Sequence, residues 1–338
     1  MSVAVTLHLL HFRKHYPTQR ITLWNIGGRS MKLGKVGGVI AVASSDSAVP
    51  MLQVGTIPII QRIVITYQQV GIFPIVVVAG PEIEEIKRQL SPFGVIFLKH
   101  PGAQQPELLD TVRIGLEYLQ GKCRRVAVTP VDVPMFAPGT LEALVAAEGD
   151  IVAPSYHGHG GHPVLLSETV LPQLLEYRGD NGLRGAFAAC GCPRTWVDVE
   201  DRGVLAHASN EGALSSQLEA HNSAILHPVL HMRLEQESAF FNARLKLLLY
   251  LLADTHNMRT SCACSGIAHS KAWEMINRLE QHLGYSVVER QRGGRSGGST
   301  RLTEQGVAFL ETYHDFEQAV HRFAQAEFQK RFISTKII

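Results

Sequence analysis

The hydrophobic positions change period several times between residue 37 and about residue 135. Apolar runs rich in β-branched residues occupy 38–43, 73–79, 94–98 and 125–129. Between them, apolar residues recur every three or four positions. The first such segment, 56–70, carries Ile60, Ile63, Val64 and Tyr67, and 82–90 and 106–119 follow. Continuous apolar runs predict strands buried on both faces, and the 3.6 period predicts amphipathic helices. Strands alternating with such helices require right-handed crossovers, so the expected fold is α/β, Rossmann-like and mostly parallel, with helices on both faces. Ligands of these sheets gather at the carboxyl ends of the strands. Further strands are expected at 151–154, 163–166 and 195–199.

The pattern then changes. Residues 209–235 show no dominant period, and a linker is expected at 216–238. From 239 the pattern reads as helical up to Gly293, apart from a short strand at 286–290. Leu245, Leu248, Leu249 and Leu252 share one face of a helix at 240–254, and a short helix follows at 262–267. The next helix, over 268–280, should bury Ala272, Met275, Ile276 and Leu279. A Gly/Ser/Arg tract fills 291–301. A long helix runs from Thr303, a plausible cap, to about 332. Its apolar positions Val307, Leu310, Phe316, Val320 and Phe323 suit either a two-helix dimer contact or packing on their own domain. The expected division is 1–30 as an unstructured extension, 31–215 as the α/β domain, 216–238 as linker and 239–332 as a second domain. Met31, just before the first strong strand, is the expected natural start.

Composition narrows the class. Of 338 residues 45% are hydrophobic and 18% charged, which excludes global disorder. No apolar run reaches the ~18 residues of a membrane span. Five cysteines, an odd number, argue for a reducing cytoplasm rather than a disulfide framework. The net charge of +2 hides a contrast: 31–225 carries 14 Lys/Arg against 19 Asp/Glu, whereas 226–338 carries 14 against 11. An acidic body and a basic end imply different partners.

The basic end has a recognisable geometry. A short helix, a turn at Gly266 and a second helix opened by Ser270 and Lys271 form a helix-turn-helix, whose second helix enters the major groove. The Gly/Ser tract with Arg292, Arg295 and Arg301 suits a hairpin that tracks a phosphate backbone. Residues 240–325 resemble the winged-helix domain of the LysR type, above all that of the molybdate-responsive regulator. The resemblance rests on Ser270-Lys271-Ala272-Trp273, Leu279-Glu280, Leu283-Gly284, Val288-Glu289-Arg290, the glycine pairs of the wing and Arg301-Leu302-Thr303-Glu304-Gln305-Gly306. It implies an α+β winged helix-turn-helix domain that dimerises and binds double-stranded DNA. Ser270, Lys271, Asn277 and Arg278 would reach the major groove, and Arg292, Arg295 and Arg301 the phosphates.

In the body, Asp132 directly follows a strand, where it can hold a phosphate-bound metal or simply cap the next loop or helix. Four further segments stand in order around it: Pro50-Met51-Leu52-Gln53-Val54-Gly55, Asp110-Thr111-Val112-Arg113, Gly161-His162-Pro163 and Gly179-Asp180-Asn181-Gly182-Leu183-Arg184-Gly185. Together they resemble the molybdenum-cofactor nucleotidyltransferases, whose fold is GT-A-like. The resemblance covers about 37–210 and implies that Asp132 is a Mg²⁺ ligand and that Arg113, His162 and Asp180 lie in or near the substrate cleft. In an active enzyme these would be the catalytic residues, and Ser44, Ser45 and Asp132 would face the nucleotide.

Two departures argue against that chemistry. The family's Gly-rich, cationic phosphate loop is replaced by Ser44-Ser45-Asp46-Ser47-Ala48-Val49, with no Gly, Lys or Arg. Such a loop cannot readily aim backbone N–H groups at phosphate, and Asp46 repels it. Gly37 and Gly38 should precede the first strand and so lie at the wrong edge. In the segment where the family carries a further pair of carboxylates, this chain has His207 and Ser209. The expectation is therefore a DNA-binding regulator, linked to molybdenum cofactor metabolism, whose nucleotidyltransferase-like domain binds a nucleotide or molybdopterin-type ligand without Mg²⁺ or other cofactor. The competing expectation is an active Mg²⁺-dependent molybdopterin cytidylyl- or guanylyltransferase with a DNA-binding tail. A third is a pure interaction scaffold. The run from Tyr156 to His162 could hold zinc or nickel but reads more simply as a glycine loop with solvated histidines, and the pairs Cys190/Cys192 and Cys262/Cys264 receive no function.

Overall fold

The computed structural model describes residues 25–26, 29–30, 36–43, 48–101, 107–291 and 299–334. Two compact units emerge, one from the described residues of Lys32–Ile225 and one from those of Leu226–Ile338 and Met1–Met31.

The first unit is built on an eight-stranded, mostly parallel sheet. Its strands are β1 (Val36–Ala41), β2 (Ile75–Ala79), β3 (Ile96–Lys99), β4 (Arg125–Pro130), β5 (Ile151–Tyr156), β6 (His159–Gly160), β7 (Val164–Ser167) and β8 (Arg194–Asp198). They run in the order β6-β5-β7-β4-β1-β2-β3, with β8 parallel to β5 on its other side. Only β6 and β7 are antiparallel to their neighbours. Every residue of β1 is buried, as a central strand between helical layers requires. Gly37 and Gly38 lie inside β1 rather than before it. A Cβ at Gly38 would come within 2.5 Å of Tyr67, so this glycine makes room for an aromatic ring. Helix α1 (Ile59–Gln69) buries Ile60, Ile63, Val64 and Tyr67, as its spacing predicts. Helices α2 (Ile83–Leu90), α3 (Leu108–Leu119), α4 (Pro138–Ala146), α5 (Leu171–Glu176) and α6 (Gly182–Ala189) complete the layers.

Helix α7 (Glu211–Ala224) closes the unit, so residues 216–224 are helical where a linker was expected. Leu214 joins the core and Leu218 packs on it, and a polar seat, which the hydrophobic period does not reveal, adds to them. Arg62, 1% exposed, meets His221 Nδ1 at 3.1 Å and donates to Asn222 Oδ1 at 2.9 Å and to the Val54 carbonyl.

In the second unit β9 (Arg233–Glu235), also within the expected linker, pairs with β10 (Ala239–Asn242), where a helix was expected from 240. Helix α8 (Ala243–Thr255) starts only after Asn242, whose Oδ1 caps it by accepting from Leu245 N at 3.1 Å. It buries all four predicted leucines. Next come α9 (Met258–Ser265), a left-handed turn at Gly266 (φ +65°) and α10 (His269–Leu283). The antiparallel strands β11 (Val288–Gln291) and β12 (Ser299–Leu302) follow, then α11 (Glu304–Phe328), capped by Thr303 Oγ1 on Gly306 N at 3.0 Å. Val307 and Leu310 pack on their own unit, which removes them from any dimer contact. Phe316 and Phe323 stand 51% and 69% exposed.

Candidate functional site

Three segments meet at the carboxyl edge of the sheet: the turn after β4, the loop before β7 and the stretch after β8. Backbone hydrogen bonds stitch them together. His162 N donates to Val204 O at 3.0 Å, and Ala208 N to Asp132 O at 2.7 Å. The Asp201 carboxylate accepts from Ala137 N (2.8 Å), Thr140 Oγ1 (2.6 Å) and Gly203 N (2.9 Å), tying α4 to the turn that leads to His207. The approach leaves no room for side chains. A Cβ at Gly203 would strike the Met135 carbonyl, and one at Gly161 the Val204 carbonyl.

This stitching delivers His207 to Asp132, Nδ1 to Oδ2 at 3.3 Å, across 75 residues of chain. Burial works to raise the Asp132 carboxyl, but the His207 hydrogen bond and the charges of His207 and His162 outweigh it and hold it below the usual carboxylate value. The same hydrogen bond lifts the His207 imidazole above its ordinary value. Burial pushes His162 the other way, down to about 4, against the pull of Asp132 and helped by His207, Arg184 and Arg194. Beside the Asp132 carboxylate the edge therefore carries one imidazole that favours its charge and one held neutral.

Mg²⁺ wants an octahedron of hard oxygens. Here the Asp132 carboxylate is hydrogen-bonded to an imidazole, and among the described residues no group of three or more His, Cys, Asp or Glu could hold a metal ion. Mg²⁺ bound with a nucleotide needs only one or two carboxylates besides water and phosphate oxygens, so Asp132 remains the residue that would hold it, with His207 as the group it would have to leave. The histidine run gathers no metal site either: His157 stacks on Tyr156 at 4.2 Å and lies 3.6 Å from Glu200.

Arg113 and Asp180 are linked to each other through Tyr177. The Arg113 guanidinium pairs with Asp110 at 2.6 Å and donates to the Tyr177 carbonyl, while Tyr177 Oη donates to the Asp180 carbonyl at 2.6 Å. Arg113 thus braces the loop that carries Asp180. Ser44 and Ser45 lie outside the described residues. A basic, aromatic neighbour of His162 escaped the sequence reading: Arg194 lies 5.2 Å from the Phe187 ring and 4.9 Å from that of Trp196. The Trp196 ring, 48% exposed, rests over Gly160, where a Cβ would come within 2.5 Å of it. Arg194 and Trp196 are two apart in one strand and so share a face, which was the available signal.

In the second unit the exposed face of α10 presents Ser270, Lys271, Asn277 and Arg278, and Ala272, Ile276 and Leu279 are fully buried beneath it. Met275 is only half-buried. Glu280 binds α10 to the hairpin by accepting from Val287 N (2.7 Å) and Val288 N (3.0 Å). Arg301, exposed on β12, faces Glu289 across the ladder, and Arg290 stacks 3.7 Å over the Trp273 ring, a placement not anticipated. Arg292 and Arg295 lie outside the described residues.

Residues 27–195 match the profile of the MobA-like NTP transferase domain. A 78-residue stretch is 31% identical to the DNA-binding transcriptional dual regulator ModE of Escherichia coli K12 and 30% identical to the transcriptional regulator ModE of Yersinia pestis. That stretch is 23% of this chain, which spans about 30% of the length of these curated relatives. Among solved structures, a nucleotidyl transferase from Methanothermobacter thermautotroptrophicus aligns over 55% of this chain and 99% of its own, with 16% identity and a TM-score of 0.48. The 4-diphosphocytidyl-2C-methyl-D-erythritol synthase of Anaerococcus prevotii aligns over 54% and 96%, with 13% identity and a TM-score of 0.47.

Proposed function

The chain belongs to the MobA-like NTP transferase domain family, and from that premise we propose that it is a DNA-binding transcriptional regulator whose family domain serves as a ligand-binding module linked to molybdenum cofactor metabolism. The observation that carries this reading is the Asp132–His207 pair. The carboxylate best placed for a metal is occupied by a side chain of the same protein, and a catalyst of phosphoryl transfer has little else to work with than positioned charge. The second unit supports the DNA half: a winged helix-turn-helix over about 239–332 would set Ser270, Lys271, Asn277 and Arg278 at base edges and Arg292, Arg295 and Arg301 on phosphates. The free half of α11, with Phe316 and Phe323 exposed, suits a second copy of the chain. The same module would accept a nucleotide or a molybdopterin-type ligand. Such a regulator works in the cytoplasm, and among the described residues no helix is long and apolar enough to cross a membrane.

Family membership and the retained Asp132 favour one other reading, an active cytidylyl- or guanylyltransferase carrying a DNA-binding tail. One paired experiment separates them. The chain is supplied with CTP or GTP, Mg²⁺ and molybdopterin and assayed for pyrophosphate, and in parallel shifted on duplex DNA at two salt concentrations. The regulator reading expects no pyrophosphate and a shift that weakens steeply with salt. Pyrophosphate release abolished by Asp132→Ala would replace it with the enzyme.

A further inference from the structure

Glu274 stands on the exposed face of α10, between two of the cations assigned to DNA. Its Oε1 accepts from Lys271 Nζ at 2.7 Å and from Arg278 Nη2 at 3.3 Å. The three side chains are each about half exposed, so these pairs are screened and contribute little to stability. Lys271's hydrogen bond and charge, with Arg278 adding, keep the carboxyl below its usual range, so it is ionised at neutral pH.

A face meant only for phosphate gains nothing from a carboxylate at its centre, because that charge repels the DNA backbone. A carboxylate there can do two useful things. It can hold neighbouring cations away from the DNA, and it can accept a hydrogen bond from a base in the major groove. The cytosine N4 amino group is the matching donor. The adenine N6 amino group lies beside the acceptor N7, which a carboxylate would meet unfavourably.

We propose that Glu274 is the specificity-determining residue of this surface. On arbitrary sequence it keeps Lys271 and Arg278 engaged, and at a cytosine it exchanges them for the N4 amino group and releases them to the DNA in the major groove. The inference rests on the DNA-binding reading above and adds to it which base is read and what suppresses non-specific binding.

The test uses the full chain and the variant Glu274→Gln, which keeps the length and the helix propensity of the side chain. Both are selected against a random-sequence duplex library, and their binding to the unselected library is measured over a salt series. The wild type should enrich a C·G pair at one position per half-site, and the variant should lose that preference. The variant should bind the unselected library more tightly, with a salt slope steeper by about one for each cation freed. Its preference for selected over unselected DNA should fall by about tenfold. A variant that binds the unselected library no more tightly, or that keeps the C·G preference, overturns the inference and leaves DNA binding standing. A wild-type chain that retains no duplex overturns both.

Discussion

Asp132 and Glu274 are both carboxylates paired with basic side chains, but they sit in different mechanical settings. Asp132 lies in a turn whose own carbonyl is bonded to Ala208 N, and its partner His207 arrives on a segment pinned by Asp201 and by closely packed glycines. Glu274 and its two partners stand on one helix face, three and four residues apart, half in water. Both pairs are about half exposed, and what differs is the backbone beneath them: the first joins segments 75 residues apart that backbone hydrogen bonds hold together, and the second lies within one turn of a helix. A site that must present a fixed shape benefits from the first arrangement. A surface that trades an internal partner for an external one needs the second, because a screened pair within one helix exchanges at low cost.

If the first unit really holds its polar groups by burial, acid should break it. His221 is 2% exposed, and burial, with the Arg62 charge adding, pushes it down to about 4. A histidine depressed in the fold contributes full stability above its ordinary value near 6.5, and that contribution declines until about pH 4. Urea denaturation of the unit should therefore show a loss approaching about 3 kcal/mol per such histidine across this window. A flat profile between pH 7 and 4 would remove the buried polar seat from the account.

A smaller effect tests the stitching. Gly203→Ala should cost about 2 kcal/mol, because its methyl group meets a backbone carbonyl that cannot rotate away. It should also lower the His207 pKa as followed by NMR, since the segment carrying that ring must shift. Unchanged stability would mean that the edge is looser than its hydrogen bonds imply.

The smallest effect sharpens the contrast from the other side. Lys271→Ala breaks an ion pair, yet it should change stability by no more than about 0.5 kcal/mol. In a titration of the selected DNA over a salt series it should lower the slope by about one. A stability loss above about 1 kcal/mol would show that the α10 pairs are structural and not exchangeable.

Much of this was open to reading along the chain. Asp132 after a buried strand, His207 in a segment aligned with carboxylates, and the glutamate between Lys271 and Arg278 at i,i+3 and i,i+4 spacing are all local signals. Helix α7 was hidden because its buried face holds only Leu214 and Leu218 besides His221, which Arg62 seats by a polar bond, so the apolar period is weak. Gly38 was misplaced by a few residues, since the edge of an apolar run does not mark the end of a strand. Arg194 and Trp196 were overlooked because their strand is half exposed and carries little hydrophobic signal.

The sequence alone determined the alternation of strands and helices up to about residue 135, the parallel sense of the sheet and the polar face of α10, because periodicity and crossover handedness act over a few tens of residues at most. Only the tertiary structure decided that His207 meets Asp132, that His162 is held neutral beside them and that Arg113 braces the loop carrying Asp180. Those outcomes depend on how the carboxyl ends of β4, β5 and β8 converge, and convergence across 75 residues is set by topology and desolvation rather than by spacing.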